Sequence, residues 1–331
     1  MNIISKSLLT ILLLSGVAAM ADTVEITEWK VPYEESRPRD PYAENATSVW
    51  FVGQRTGYLA HLDTKTGEFN KIDLKEGSGP HNLIVGSDGI VWYAGNLNRL
   101  IGRYDPKTGD IEEIMMPDEN ARDPHTLIFD KNEENIWFTV QGGNMMGRLN
   151  IATRKVDLIT SRTNRSRPYG IKLAPDDSVW VVLFGSNKLA HIDPETLDYS
   201  EIELPRSETR PRRLEITSDG NIWYVDYAKG MLGRYTPESK KFMEWPMPQG
   251  ENAKPYGMAS DSSGRIWMVA SGVQPNVFIG FDPDTESFFG ATEIASGGGT
   301  IRHMHYEQSS GTVWFGTDTN YVGRAIVVTD K

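Results

Sequence analysis

Seven tryptophans recur along this chain at nearly constant spacing: Trp50, Trp92, Trp137, Trp180, Trp223, Trp267 and Trp314. The intervals are 42, 45, 43, 43, 44 and 47 residues, and only Trp29 and Trp245 fall outside the series. A period near 44 residues in strand-rich sequence marks one structural unit repeated seven times, and a unit of that length is a propeller blade. The spacing therefore predicts an all-β, seven-bladed β-propeller with four-stranded blades. It also predicts where a ligand would sit, in the central channel ringed by equivalent positions of all blades.

The same phrase surrounds each tryptophan. In blade two it runs Pro80-His81-Asn82-Leu83-Ile84-Val85, then a Ser87-Asp88-Gly89 turn, Ile90-Val91-Trp92-Tyr93, Ile101-Gly102-Arg103-Tyr104-Asp105-Pro106 and Ile111-Glu112-Glu113-Ile114. That is four short strands. Asp-Gly favours a hairpin turn because glycine accepts positive φ, and Asp-Pro-x-Thr-Gly supplies another tight turn. The tryptophan is placed to pack between neighbouring sheets, so all seven are read as scaffold.

The two ends of the chain complement each other. The last blade finishes at Val322-Gly323-Arg324-Ala325-Ile326-Val327-Val328 without an outer strand. The missing strand is expected at Val24–Pro32, whose Glu28-Trp29 echoes Glu244-Trp245 of blade five. One domain is then expected over residues 22–331, its ring closed by the N-terminal strand, which also covers an exposed edge. Residues 1–21 read as a signal peptide: Lys6, a short apolar run from Leu8 to Leu14, and a small-x-small site at Ala19-Met20-Ala21. Cleavage near Ala21 would deliver a monomer, not embedded in a membrane, to the periplasm or the medium.

There is no cysteine, hence no disulfide and no thiolate metal site. Removing residues 1–21, which hold Lys6 and no acid, takes the formal charge from −11 to −12. Such a chain is not expected to bind nucleic acid non-specifically. A small-molecule ligand is the expected partner.

Chemistry is expected where the innermost strands face the channel. Eleven residues before each tryptophan stand His81, Tyr169, Arg212, Tyr256 and His303, with His125 at the same step plus one residue. Blade one allows Arg39 by strict spacing or Tyr42 by the Pro41-Tyr42 step. The likeness of Arg39-Asp40-Pro41-Tyr42 to Arg122-Asp123-Pro124-His125 favours Tyr42. Half of the six histidines thus fall at equivalent repeat positions. Imidazole titrates near neutral pH and ligates metals, which points to function; polar channel lining held by backbone and water is the plainer alternative. A second ring, four residues after each tryptophan, contains one carboxylate, Asp318, within a turn-like Gly316-Thr317-Asp318-Thr319-Asn320.

Eleven of the 19 arginines lie in loops leading into the inner strands, and seven of these belong to blades four and five: Arg162, Arg165, Arg167, Arg206, Arg210, Arg212 and Arg213. A positive lobe on an acidic protein suggests an anionic ligand. The guanidinium fork suits carboxylate and phosphate, which it can bind bidentately.

In its Pro-His/Tyr step, its Asp-Gly-x-x-Trp-Phe/Tyr strand and its Ile-Gly-Arg-x-Asp step, the chain resembles the virginiamycin B (streptogramin B) lyases over nearly its whole length. The resemblance implies a C–O lyase that opens an ester-linked, cyclic depsipeptide-like compound by elimination. A base removes the α-proton beside the carbonyl, the ester C–O bond breaks and a dehydro residue remains. It implies Mg²⁺ near that carbonyl, held partly by glutamates, and histidine as acid or base. Matched residue by residue, the family's last-blade histidine falls on His303 and its two glutamates on Ile301 and Asp318. The histidine of the preceding blade falls on Tyr256. Catalysis is thereby assigned to His303 and Asp318, with Asp318 also the metal ligand. Tyr42, His81, His125, Tyr169, Arg212, Arg213 and Tyr256 are assigned to the substrate. Two alternatives stay open: a non-catalytic propeller that binds an anionic ligand or an exported protein, and a lactonase, which would need several carboxylates in the channel.

Overall fold

Short apolar runs punctuated by Asp-Gly, Asp-Pro and Gly turns form strands of four to eight residues, and these pair into seven four-stranded antiparallel sheets. The computed structural model describes residues 23–328, so the expected signal peptide lies outside the described residues. Six sheets are each made of four consecutive strands. The seventh joins the chain ends: Thr23–Lys30 lies outside Tyr321–Val328, which pairs with Thr312–Gly316 and then Met304–Glu307. The register of the seam runs from Thr23 opposite Val328 to Lys30 opposite Tyr321. This is the predicted all-β, seven-bladed propeller with its predicted closure. Among the described residues, no helix is long and apolar enough to cross a membrane.

The repeated phrase is explained by cross-strand pairs. Each tryptophan of the series is buried. Its neighbour on the third strand is Arg103, Arg148, Arg234 or Arg324 in four blades and His61 or His191 in two. In five of these six blades the side chain opposite covers the indole face, as where the Arg234 guanidinium lies 5.3 Å from the Trp223 ring and the His191 ring 4.5 Å from Trp180; in blade two Arg154 covers Trp92. In blade six the opposite residue is Gly280, and Arg265 covers Trp267 instead. His61 and His191 are therefore scaffold, replacing the arginine of the repeat. Trp29 stacks on Trp314 as Trp245 stacks on Trp223, both at 5.6 Å and 25°, so the N-terminal strand fills the outer place of blade seven.

The glycine of the Gly-Arg step has a steric reason. Gly233 faces Tyr224 across the ladder, and a Cβ added there would lie 2.1 Å from the Tyr224 ring. The aromatic after the tryptophan occupies that space in blades with this glycine; in blade one Phe51 faces Ala60. Where blade four has Val181 in place of the aromatic, its partner is Ala190.

Candidate functional site

The innermost strands begin at Pro38, Pro80, Pro124, Pro168, Pro211 and Pro255, and in blade seven at Met304. Cross-strand pairing fixes their common register. The partners of the seven tryptophans are Tyr42, Ile84, Ile128, Lys172, Glu215, Ala259 and His305. Three residues earlier in each blade stands the ring that faces one end of the channel: Arg39, His81, His125, Tyr169, Arg212, Tyr256 and Arg302. These seven line one cavity of about 360 Å³, together with Gln54, Asn96, Asp123, Gln141, Arg167 and Phe184.

Two sequence assignments are thereby corrected. The blade-one member of the ring is Arg39, not Tyr42, because the register begins at Pro38 rather than Pro41. The blade-seven member is Arg302, not His303, because the hairpin of blade seven carries one more residue than most, as in blade three. Tyr42, Arg213 and His303 line a separate chamber toward the other end of the channel, and the two cavities share no lining residue. The ring is thus richer in charge than the sequence suggested, with three arginines, two histidines and two tyrosines.

A buried polar layer divides the two cavities. Asp40 accepts from Asn82 Nδ2 at 3.1 Å and lies 3.4 Å from Arg39 Nε and 3.6 Å from Arg213 Nη2. Arg213 donates to Thr126 Oγ1 and to the Arg302 carbonyl, each at 3.0 Å. Asp40, Arg39, Asn82, Thr126 and Arg213 are all no more than 5 % exposed. Burial opposes ionisation of Asp40, but Arg39, His303 and Arg213 together hold its carboxyl below the usual range.

Within the ring the aromatic groups touch. The His81 and His125 rings lie 3.6 Å apart and those of His125 and Tyr169 3.9 Å apart; the Tyr169 and Tyr256 hydroxyls are hydrogen-bonded. Burial first, and then Arg39, His125 and Arg213, keep His81 well below the usual 6.5. Burial and the same arginines do so for His125, helped by Arg212. Both imidazoles are therefore neutral at neutral pH. Thr126 Oγ1 accepts from Arg213 and can donate its own proton to His125 Nδ1, 2.8 Å away, which leaves that ring's proton on Nε2. His81 Nδ1 has no hydrogen-bond partner. Burial pushes the Tyr169 phenol up, but Arg39, Arg213 and Arg212 outweigh it and hold the phenol below its ordinary 10.

Arg212 is boxed by rings, its guanidinium 3.6 Å from Phe184, 4.4 Å from Tyr227 and 4.6 Å from Tyr256. It donates to the Tyr256 hydroxyl at 3.1 Å, and its Nε has no partner. Arg39 Nη2 is likewise buried without a partner. Both arginines line the cavity, and guanidinium groups with donors to spare are what an anion would satisfy. The wider lobe resolves into unequal parts. Arg206 bonds Asp226 at 3.0 Å and Glu244 at 2.9 Å, and Arg210 donates to backbone carbonyls of Ser207 and Thr209. Those two serve the blade; Arg167 and Arg212 serve the mouth.

Asp318 stands at the rim, but Arg302 grips both of its oxygens and Arg37 Nε lies 3.3 Å from one of them. Among the described residues, no three His, Asp or Glu side chains are placed to hold a metal ion. The donor set of this mouth does not suit Mg²⁺, because Arg302 and Arg37 take up Asp318 and the one carboxylate among the lining residues, Asp123, lies under the influence of Arg167 and Arg39. Asp123, which also lines the mouth, is pushed up to about 6 by burial, against the pull of Asn96, Arg167 and Arg39. Its negative charge disappears as pH falls through that value. Sulfate affinity should therefore rise between about pH 8 and about pH 5, and Asp123→Asn should flatten the rise. Calorimetric titration across that range checks it; affinity that falls toward low pH would contradict it.

A family model described as virginiamycin B lyase matches residues 9–274. This chain belongs to the virginiamycin B lyase family. Its structure is similar to that of the virginiamycin B lyase from Staphylococcus aureus at 21 % identity, with a TM-score of 0.83 over 92 % of this chain and 100 % of that one. A structure described as streptogramin B lyase is 22 % identical, with a TM-score of 0.82 over 92 % and 98 % of the two chains. Hydrazine synthase from Kuenenia stuttgartiensis is similar at 12 % identity, with a TM-score of 0.75 over 91 % and 98 %. At these identities the likeness to the solved structures is one of fold. No curated protein matches this chain. The family match ends before the inner strand of blade seven, so His303 and Asp318 lie outside the matched residues.

Proposed function

We propose that this member of the virginiamycin B lyase family binds an anionic small molecule at the arginine-lined mouth and breaks an ester C–O bond in it by elimination. The observation that carries the proposal is the ring itself: Arg39, Arg212 and Arg302 surround neutral imidazoles, and His81 lines the mouth with a buried Nδ1 that has no hydrogen-bond partner. In such an elimination a base takes the proton α to a carbonyl. The electron pair forms a double bond to the β carbon, the β C–O bond breaks, and its electrons leave on the ester oxygen as a carboxylate. Charge grows first at the carbonyl and then on the leaving carboxylate, and preformed guanidinium donors stabilise both. His81 is the proton acceptor in this reading. Arg39 and Arg212 hold the carbonyl and the departing carboxylate, and Tyr169 with Tyr256 orients them. The Mg²⁺ implied by family resemblance has no role in it. Export directed by residues 1–21 belongs to the same proposal, and the N-terminal residue of protein recovered from the periplasm tests it.

Mass spectrometry of products from cyclic and linear esters of β-hydroxy-α-amino acids tests the chemistry. Elimination opens a ring without change of mass, whereas hydrolysis adds one water. Turnover should survive EDTA. Its acid limb should lie below the ordinary imidazole value of about 6.5, since burial and arginines lower His81 and the neutral form persists to lower pH. His81→Ala should cost on the order of 10²–10⁴ in rate. A water-added product would rule out the lyase. Ligand binding without turnover across the panel would leave a binding propeller.

A further inference from the structure

The chamber at the opposite end of the channel is a second built site. Its volume is about 290 Å³, at the lower end for a small-molecule pocket. Its walls are aliphatic: Ile84, Leu127, Ile128, Ile171, Leu214 and Met258. Into these walls the propeller register sets one close pair of opposite charges; the lining also includes Arg213, which is committed to Asp40, Thr126 and the Arg302 carbonyl, and Asp130, Lys131 and Glu133. Lys172 Nζ lies 2.7 Å from Glu215 Oε1, and Ser260 Oγ donates to the other Glu215 oxygen at 3.2 Å. Glu215 is only 5 % exposed. His303, which also faces the chamber, has a buried Nδ1 with no hydrogen-bond partner. The scaffold does not need this pair. The equivalent positions of other blades hold Ile84, Ile128 and Ala259, and the tryptophan beneath is packed in every case.

We propose that this chamber binds a small zwitterion with an apolar side chain, of the free α-amino acid type. Its carboxylate would meet Lys172, its ammonium would meet Glu215 and His303 Nδ1, and its side chain would lie among the aliphatic walls. The charge pattern selects this class. Lys172 has N–H groups to spare after bonding Glu215, and Glu215 has lone pairs to spare after Lys172 and Ser260. A ligand with only a carboxylate would bring a like charge to buried Glu215. A ligand with only an ammonium would bring one to Lys172. In both cases a desolvated charge is left uncompensated. The buried Asp40–Arg213 layer separates this site from the arginine-lined mouth, so its occupant differs from the anion proposed there and does not depend on that proposal.

Isothermal titration of the purified protein with L-leucine tests the idea, using 4-methylpentanoate and 3-methylbutylamine as the probes that each lack one charge. L-Leucine should bind at millimolar concentration or below, and each monofunctional probe at least about tenfold more weakly. Lys172→Met and Glu215→Gln should each weaken L-leucine by about tenfold or more. Ile128→Trp, which fills the chamber from the blade-three wall and leaves both charged residues in place, should abolish binding. Melting temperatures read separately show whether each variant folds, and the half-exposed Lys172 position keeps the test open if Glu215→Gln does not. Three results would overturn the proposal: no heat from L-leucine, L-isoleucine or L-phenylalanine; equal binding of the amine or the acid alone; or L-leucine binding unchanged in both Lys172→Met and Ile128→Trp.

Discussion

Protein lacking residues 23–32 should aggregate, or melt lower by about 10 °C or more. The strand removed does three things at once. It supplies the full outer ladder of blade seven, from Thr23 opposite Val328 to Lys30 opposite Tyr321. Its Trp29 stacks on Trp314 at 5.6 Å, and its Val31 is 1 % exposed. It also ties two loops. The Ser296 amide donates to Glu28 at 2.8 Å, the Val31 amide donates to the Asn320 carbonyl at 3.0 Å, and Asn320 Nδ2 donates to the Val31 carbonyl at 3.0 Å. Losing one buried valine and one stacked tryptophan costs several kcal/mol by ordinary burial arithmetic, roughly 1.5–3 for the valine alone. Each kcal/mol moves a domain of this size by roughly 1.5–2 °C, and the lost ladder and loop bonds add to the burial loss. The bared Tyr321–Val328 strand becomes an open edge that recruits other chains. Light scattering and thermal melts decide it. A shortened protein that stays monomeric and melts within a few degrees of the parent would mean that the ring holds without its seam.

Arg212→Glu should abolish anion binding at the mouth, and Arg212→Gln should weaken it by about tenfold or more, a loss of about 1.4 kcal/mol or greater. Among the described residues no carboxylate pairs with Arg212; aromatic faces and the Tyr256 hydroxyl hold it. Its charge is therefore available to a ligand. The glutamate change moves the local charge by two units beside Arg39 and Arg302, and the glutamine change removes the charge without reversing it. The readout is the thermal shift given by sulfate and by citrate at low salt, which should shrink as salt rises. If neither anion shifts the parent, or if both shift Arg212→Glu as strongly, the mouth is not an anion site.

The architecture could be read from the chain because its strongest signal, a large residue at a fixed period, is the one that packing enforces. Every blade must bury an indole between sheets, so Trp50 through Trp314 mark the repeat. The seam was legible for the same reason, since Trp29 echoes Trp245. Ring membership was less legible. It follows hydrogen-bond register, and a single extra hairpin residue shifts register without disturbing the tryptophan. In blade three Pro124 marks the correct step, so His125 could be placed. Blade seven has Ile301 where other blades have proline, so nothing announced that Arg302 rather than His303 takes the ring position. In blade one the decoy was Pro41, because Arg39-Asp40-Pro41-Tyr42 mimics Arg122-Asp123-Pro124-His125 while the register starts at Pro38. Asp318 could be found as a lone carboxylate, but its capture by Arg302 could not, because the pair forms between a loop and a distant turn. The orphaned donors of Arg39 and Arg212 are properties of three-dimensional crowding and leave no local trace.

The Asp40–Arg213 layer makes the channel a blind alley. Whatever reacts at the arginine-lined end must come and go through one doorway. An elimination that liberates a carboxylate would leave that group resting on the guanidiniums that helped create it, with no back exit. Such a catalyst would be self-limiting: spent molecules would hold the doorway against fresh ones, and turnover would follow the rate at which salt or competing anions sweep them out.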